Sequence, residues 1–211
     1  MSESVNNEKI NIKQRNRSRW MLIGVAVLFI IPILGPFFWT PKSFVNHGDL
    51  IQPEARPLTA LKLNDTSGEA VGIEAFQGKW TMIILDDASC DANCQANLYN
   101  IRQVRLTQGR RMDRVQLAWV LLSGTPADID ADIQQDYSQV DIYSIPVDKH
   151  QVINELFSVE SGKPEDGIQH VYFIDPFGNL VMSFDPEQNP KDIQKDLGRL
   201  LRVSKAGENQ D

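Results

Sequence analysis

Cysteine is scarce in this 211-residue chain: there are two, Cys90 and Cys94. Two thiols cannot build a disulfide scaffold, nor the four-thiolate site of a structural zinc. Histidine is limited to His47, His150 and His170. Positive charge is in deficit, with 21 Lys and Arg against 28 Asp and Glu, a net charge of −7 and a pI near 5.0. A nucleic-acid partner requires a basic footprint, so none is expected. Internal repeats and low-complexity tracts are missing. With 42% hydrophobic and 23% charged residues, the composition is that of a folded chain rather than a disordered one.

Charge is lacking altogether from residues 21–39 (MLIGVAVLFIIPILGPFFW). As a helix, this run would reach roughly 29 Å, close to the ~30 Å hydrocarbon thickness of a bilayer. Trp20 and Trp39 bracket it as interfacial aromatics do. A cleaved signal peptide would have a shorter apolar region ending at a small-x-small site, whereas Thr40-Pro41-Lys42 follows here. Residues 1–19 carry Lys9, Lys13, Arg15, Arg17 and Arg19 against Glu3 and Glu8, a net of +3 that leaves −10 for the rest. By the positive-inside rule the N-terminus is cytoplasmic and the remainder lies across the membrane. Acids within residues 1–19 argue against a mitochondrial transit peptide. The expectation is a single-pass protein of a bacterial inner membrane, with residues 20–39 as the transmembrane helix and a periplasmic C-terminal domain. Thiols there are exposed to oxidation.

Residues 40–57 are rich in proline and glycine and read as a tether; residues 58–203 form one domain, and 204–211 a polar tail. Within the domain a short strand is expected at 58–63, followed by a turn at Asp65-Thr66-Ser67-Gly68. Residues 80–85 (WTMIIL) and 115–122 (VQLAWVLL) are continuous apolar runs, as in strands covered on both faces. Helices are expected over 91–107, 126–137, 151–157 and 191–202. A hairpin is expected from 171–174 and 180–184 about Pro176-Phe177-Gly178-Asn179. Strands alternating with helices, then a hairpin and a helix, indicate an α/β sandwich with a mixed sheet.

The chemistry centres on Cys90 and Cys94, where an apolar strand turns into a helix. Four residues apart, the two side chains share one helical face about 6 Å apart, a spacing open to a disulfide or to shared grip on one ion. A staple closing so short a loop would remove only about 2 kcal/mol of unfolded-chain entropy, so a purely structural bridge is a poor explanation. His47 and His150 read as solvated or locally bonded. His170 heads a strand and is read either as packed and hydrogen-bonded or as a ligand beside the cysteines. Two thiolates with an imidazole form a soft set suited to Cu(I), and Cu(II) accepts it with an added oxygen donor. Zinc would need a fourth ligand.

Gly78-Lys79-Trp80 before an apolar strand, Cys90-x-x-x-Cys94 after it, and His170 heading a strand into Asp175-Pro176-Phe177-Gly178 resemble the Sco/SenC family. Leu61-Lys62-Leu63-Asn64-Asp65 with Gly68 is similar to that family's first hairpin, so the resemblance spans residues 57–202. It implies a membrane-anchored, thioredoxin-like domain acting in copper-site assembly of a respiratory cytochrome oxidase. It also implies copper on Cys90, Cys94 and His170, with the copper-site subunit of the oxidase as acceptor. The cysteines of that family also exchange disulfides, which makes Cys90 and Cys94 the redox pair of an alternative thiol–disulfide oxidoreductase. A non-catalytic assembly scaffold is a third reading. The sequence departs from the family at Asp91, where proline is usual, and at Ser123-Gly124-Thr125-Pro126, which replaces an aspartate-proline-arginine signature.

Asp86, Asp87 and Asp91 surround Cys90 with negative charge, which disfavours a thiolate of the fast-attacking kind and suits a cation. The same carboxylates also read as solvated loop residues. Arg102, Arg105, Arg110, Arg111 and Arg114 read either as cations matched to a helix C-terminus or as a patch for an acidic partner or lipid headgroups.

Overall fold

The computed structural model describes residues 19–30, 46–51, 55–158 and 169–204. Two compact units divide the chain, Met1–Val45 and Asn46–Asp211. In the first, residues 19–30 are helical, with exposed side chains; the rest of the expected span lies outside the described residues. Among the described residues no helix is long and apolar enough to cross a membrane.

The second unit is built on one nine-stranded sheet. Its strands are β1 (Asp49–Leu50), β2 (Arg56–Pro57), β3 (Leu63–Asn64), β4 (Ala70–Val71), β5 (Trp80–Asp86), β6 (Val115–Leu121), β7 (Asp141–Ser144), β8 (Val171–Ile174) and β9 (Asn179–Phe184). The order is β1-β9-β8-β5-β6-β7-β3-β4, with β2 also paired to β9. β5, β6 and β7 run parallel, and β8 pairs antiparallel with both β5 and β9. The helices are α1 (Ala92–Leu106), α2 (Ala131–Asp136), α3 (His150–Leu156) and α4 (Pro190–Val203).

Alternation along the central strands divides the interior into two layers. Met82, Ile84, Leu117, Trp119 and Phe173 share one core with Leu98, Ile101 and Val104 of α1 and with Ile193, Leu197 and Leu201 of α4. Ile83, Leu85, Ala118, Val120 and Tyr172 face the other way, onto Leu58, Leu61, Phe76, Ile153 and Phe157. With both faces covered, β5 and β6 are apolar except at Thr81, Asp86 and Gln116, which is why they read as long apolar runs.

Several boundaries differ from expectation. The segment read as a tether is in part sheet, because β1 and β2 dock on β9. Instead of a strand at 58–63, Leu58 and Leu61 are buried loop residues and pairing begins at Leu63. The helix expected over 126–137 is two pieces. A 3-10 turn (Pro126–Asp128) closed by a Thr125–Asp128 capping box ends at extended Ile129, and Asp130 caps α2 afresh. β7 was not foreseen; four residues give too short a pattern to read.

Candidate copper and redox site

β5 carries the chain to one end of the sheet, and the site is built on the loop that leaves it. Asp87–Cys90 closes as a turn through Cys90 N–H to Asp87 C=O at 3.1 Å, while Ala88 N–H reaches Ser123 C=O at 3.0 Å. Cys90 sits at φ +38°, in the left-handed region that a side chain rarely adopts. Asp91 then starts α1: its carboxylate accepts from Asn93 N–H at 3.0 Å and Cys94 N–H at 2.9 Å. The residue standing where the Sco/SenC pattern has proline is therefore a helix N-cap. Asp91→Ala is expected to cost about 1 kcal/mol and Asp91→Ser little, read by chemical denaturation.

Cys90 and Cys94 are joined by a disulfide, Cα to Cα 5.1 Å, with residue exposures of 2% and 0%. Both sit in the α1-side core. In this state neither sulfur is a thiolate, and metal uptake requires two-electron reduction first. Among the described residues, no group of three His, Cys, Asp or Glu is placed to hold a metal ion.

His170 lies one residue before β8, next to the Ile84–Val171 pair, at the sheet end from which the cysteine loop departs. It is half-buried, its ring 6.0 Å from that of Tyr172. The preceding Gln169 has φ +66°; among the described residues, it and Cys90 are the two non-glycine residues at positive φ. Backbone strain of this kind concentrates at functional sites. Gln169 is tied to both neighbours, its N–H donating to Leu85 C=O at 3.2 Å and its C=O accepting from Asn97 Nδ2 at 2.8 Å. Buried Asn97 thus joins the cysteine-bearing helix to the turn before His170. Nothing in the sequence pattern marked it beyond its being a polar residue on an apolar helical face. His150 begins α3, and His47 pairs with Asp196 and Asp192 of α4.

The three acids near Cys90 differ in role. Asp91 is the cap, and exposed Asp87 accepts from Ser123 Oγ at 2.7 Å. Asp86 is buried, with Oδ1 bound by Asp87 N–H at 2.8 Å and Oδ2 lacking a hydrogen-bond partner. Burial raises its pKa above the ordinary carboxylate value, helped by the charges of Asp91 and Asp87 and opposed by the Asp87 amide and the Gln169 side chain.

A family model described as the transmembrane-like, thioredoxin-like, C-terminal domain matches residues 80–204, more than half of the chain. The chain belongs to that family. No curated protein matches it. Among solved structures it is similar to copper-bound yeast Sco1, with 16% identity over 74% of this chain and 96% of that one, at a TM-score of 0.58. It is also similar to copper-bound ScoI of Bradyrhizobium japonicum, with 20% identity, coverage of 69% and 98%, and a TM-score of 0.52. The thioredoxin domain of a thiol–disulfide oxidoreductase from Bacteroides vulgatus gives 16%, 67% and 92%, and 0.51. At such identities the likeness is one of fold. The domain therefore has the thioredoxin-like fold that these structures share, and its Cys90–Cys94 bridge opens the first helix after the central strand β5.

Proposed function

We propose that this chain is a membrane-tethered copper-binding assembly factor for the copper site of a respiratory cytochrome oxidase. Copper is its cargo, held after reduction by Cys90, Cys94 and His170 and passed to the copper-site subunit of the oxidase by exchange of thiolate ligands. The observation that supports this reading is the hydrogen bond from Asn97 Nδ2 to Gln169 C=O, which ties the cysteine-bearing α1 to the turn before His170. The donor set is chemically suited to Cu(I), which accepts few, soft ligands. The anchor is the apolar run of residues 20–39 in a bacterial inner membrane, N-terminus cytoplasmic and domain periplasmic. An oxidised cysteine pair accords with that compartment.

A thiol–disulfide oxidoreductase keeping the acceptor's cysteines reduced is the second reading, favoured by the disulfide itself. In it, the Cys90–Cys94 dithiol would reduce an acceptor disulfide, giving up two electrons and two protons, and an upstream dithiol would restore it.

The test is Cu(I) titration of the reduced full-length chain in detergent against a competing chelator, with Cys90→Ser, Cys94→Ser and His170→Ala alongside. One equivalent bound by the wild type, lost in both cysteine variants and weakened in His170→Ala, is the expected outcome. No binding, with dithiol exchange toward an acceptor peptide, selects the oxidoreductase; neither activity selects a scaffold.

A further inference from the structure

The arginine cluster 102–114 does not act as one patch. Arg114 is buried, its guanidinium donating to Leu201 C=O at 2.8 Å and to Ser204 C=O. Arg105 Nε donates to Val115 C=O at 2.7 Å. Arg111 instead lines an open groove of about 620 Å³ with Lys191, Lys195, Arg199 and Arg202 of α4. Among the described residues no carboxylate lines this groove; its other walls are threonine, glutamine and Gly198. Gly198, in the helix interior, lines the groove floor, where an added Cβ would lie 3.5 Å from Gln108 Oε1.

Five cations converge here on a chain whose residues beyond position 19 sum to −10. Lys195 pairs with Asp192 at 2.8 Å and Arg199 with Asp196 at 3.0 Å, while Arg111, Lys191 and Arg202 make no ion pair among the described residues. A second observation fixes where the chain leaves this domain. His47 N–H and Gly48 N–H both donate to Asp196, and His47 Nε2 lies 3.5 Å from Asp192, so the start of the unit is bonded to α4 itself. Only six residues, 40–45, separate the end of the apolar run from Asn46, a reach of at most about 21 Å.

We propose that this groove docks the domain onto the anionic phospholipid headgroups of the membrane that holds the chain. The inference rests on the reading of residues 20–39 as a membrane span. An acidic domain on a short leash is repelled by an anionic surface everywhere except through a positive face, and the positive groove lies on the helix to which the leash is bonded. The cations follow α4 for about 16 Å, a row suited to several headgroups rather than to one anion. The groove meets α1 at Thr107 and Gln108, about 20 Å along that helix from Cys94, so docking leaves the cysteine end free for the acceptor.

The full-length chain in lipid nanodiscs tests this, comparing neutral phosphatidylcholine with discs containing about 30% phosphatidylglycerol. Acylation of Lys191 and Lys195 by a water-soluble ester is read by mass spectrometry, with exposed Lys62 and Lys79 as internal references. Labelling of Lys191 and Lys195 is expected to slow about threefold or more in anionic discs and to recover near ~0.5 M salt. In Arg111→Glu/Arg202→Glu the lipid dependence should vanish while the Cys90–Cys94 bridge still forms. Equal labelling in both discs overturns the proposal, as does protection that requires an added acidic protein. A chain that fails to enter the discs at all removes the span reading, and this one with it.

Discussion

At neutral pH, Asp86→Asn is expected to stabilise the fold by roughly 1 kcal/mol or more, because it removes the cost of ionising a buried carboxylate. Asp86 is 7% exposed, and its Oδ2 has no hydrogen-bond partner. Its folded-state pKa is raised, chiefly by burial. The native state therefore holds a proton that the unfolded chain has released between the ordinary carboxylate value, 3.8, and the raised one. Stability from this group is fully present below pH 3.8 and is lost as pH rises through the folded-state pKa. Asparagine keeps an oxygen for Asp87 N–H and cannot ionise, so its advantage should be present at pH 7 and fade in acid. Urea denaturation of both proteins across this range measures it. A variant no more stable than wild type at pH 7 would show that the carboxylate is better solvated than its geometry indicates.

That a buried acid sits at the end of β5 bears on the site. Asp86 occupies the last position of a mostly apolar strand, and Trp119 Nε1 and Leu122 N–H both donate to its carbonyl, at 3.4 and 3.0 Å. The strand thus brings a group disfavoured by burial to the edge of the cysteine loop, next to a residue at φ +38°. Local strain and desolvation coincide at the end of the sheet where the proposed site lies.

How much of this was legible in the sequence depended on range. β5, β6, α1, α4 and the β8–β9 hairpin announced themselves because each has a period or an apolar run long enough to read. The two-residue strands β1–β4 have no period; partners far along the chain define them, as Asp49 and Leu50 do by pairing with Ser183 and Met182. The cysteine pair was visible from its spacing, whereas the Asn97–Gln169 bond joins positions 72 apart and leaves no local trace. The arginine cluster misled for the same reason. Side chains adjacent in sequence were parted by the 3-10 turn Gly109–Arg114, which buries Arg114 and leaves Arg111 exposed on the α4 side.

The docking of residues 46–51 on α4 and β9 leads to the second large effect. Asp196, 2% exposed, accepts from His47 N–H at 2.6 Å, Gly48 N–H at 3.1 Å and Arg199 Nη1 at 3.0 Å, and pairs with His47 Nδ1 at 3.0 Å. At Gly48 an added Cβ would meet the Phe184 ring at 2.6 Å and Met182 Sδ at 2.8 Å, so the backbone lies directly on β9. Asp196→Ala removes the acceptor and leaves two backbone donors unpaired against that surface. The expected cost is about 1–2 kcal/mol, since Asp196 is buried but its partners His47 and Arg199 are partly exposed. The loss should be local first: amide exchange at 46–51 accelerates while the central strands β5 and β6 keep their protection. Asp196→Asn, which retains one acceptor oxygen, should recover part of the difference. Uniform acceleration would mean that Asp196 supports α4 as a whole, whereas no acceleration at 46–51 would show β1 pairing alone to hold the segment. The expected pattern makes Asp196 the point that fixes where the chain enters this unit, with residues 46–51 held on α4 and β9 when the contact is made.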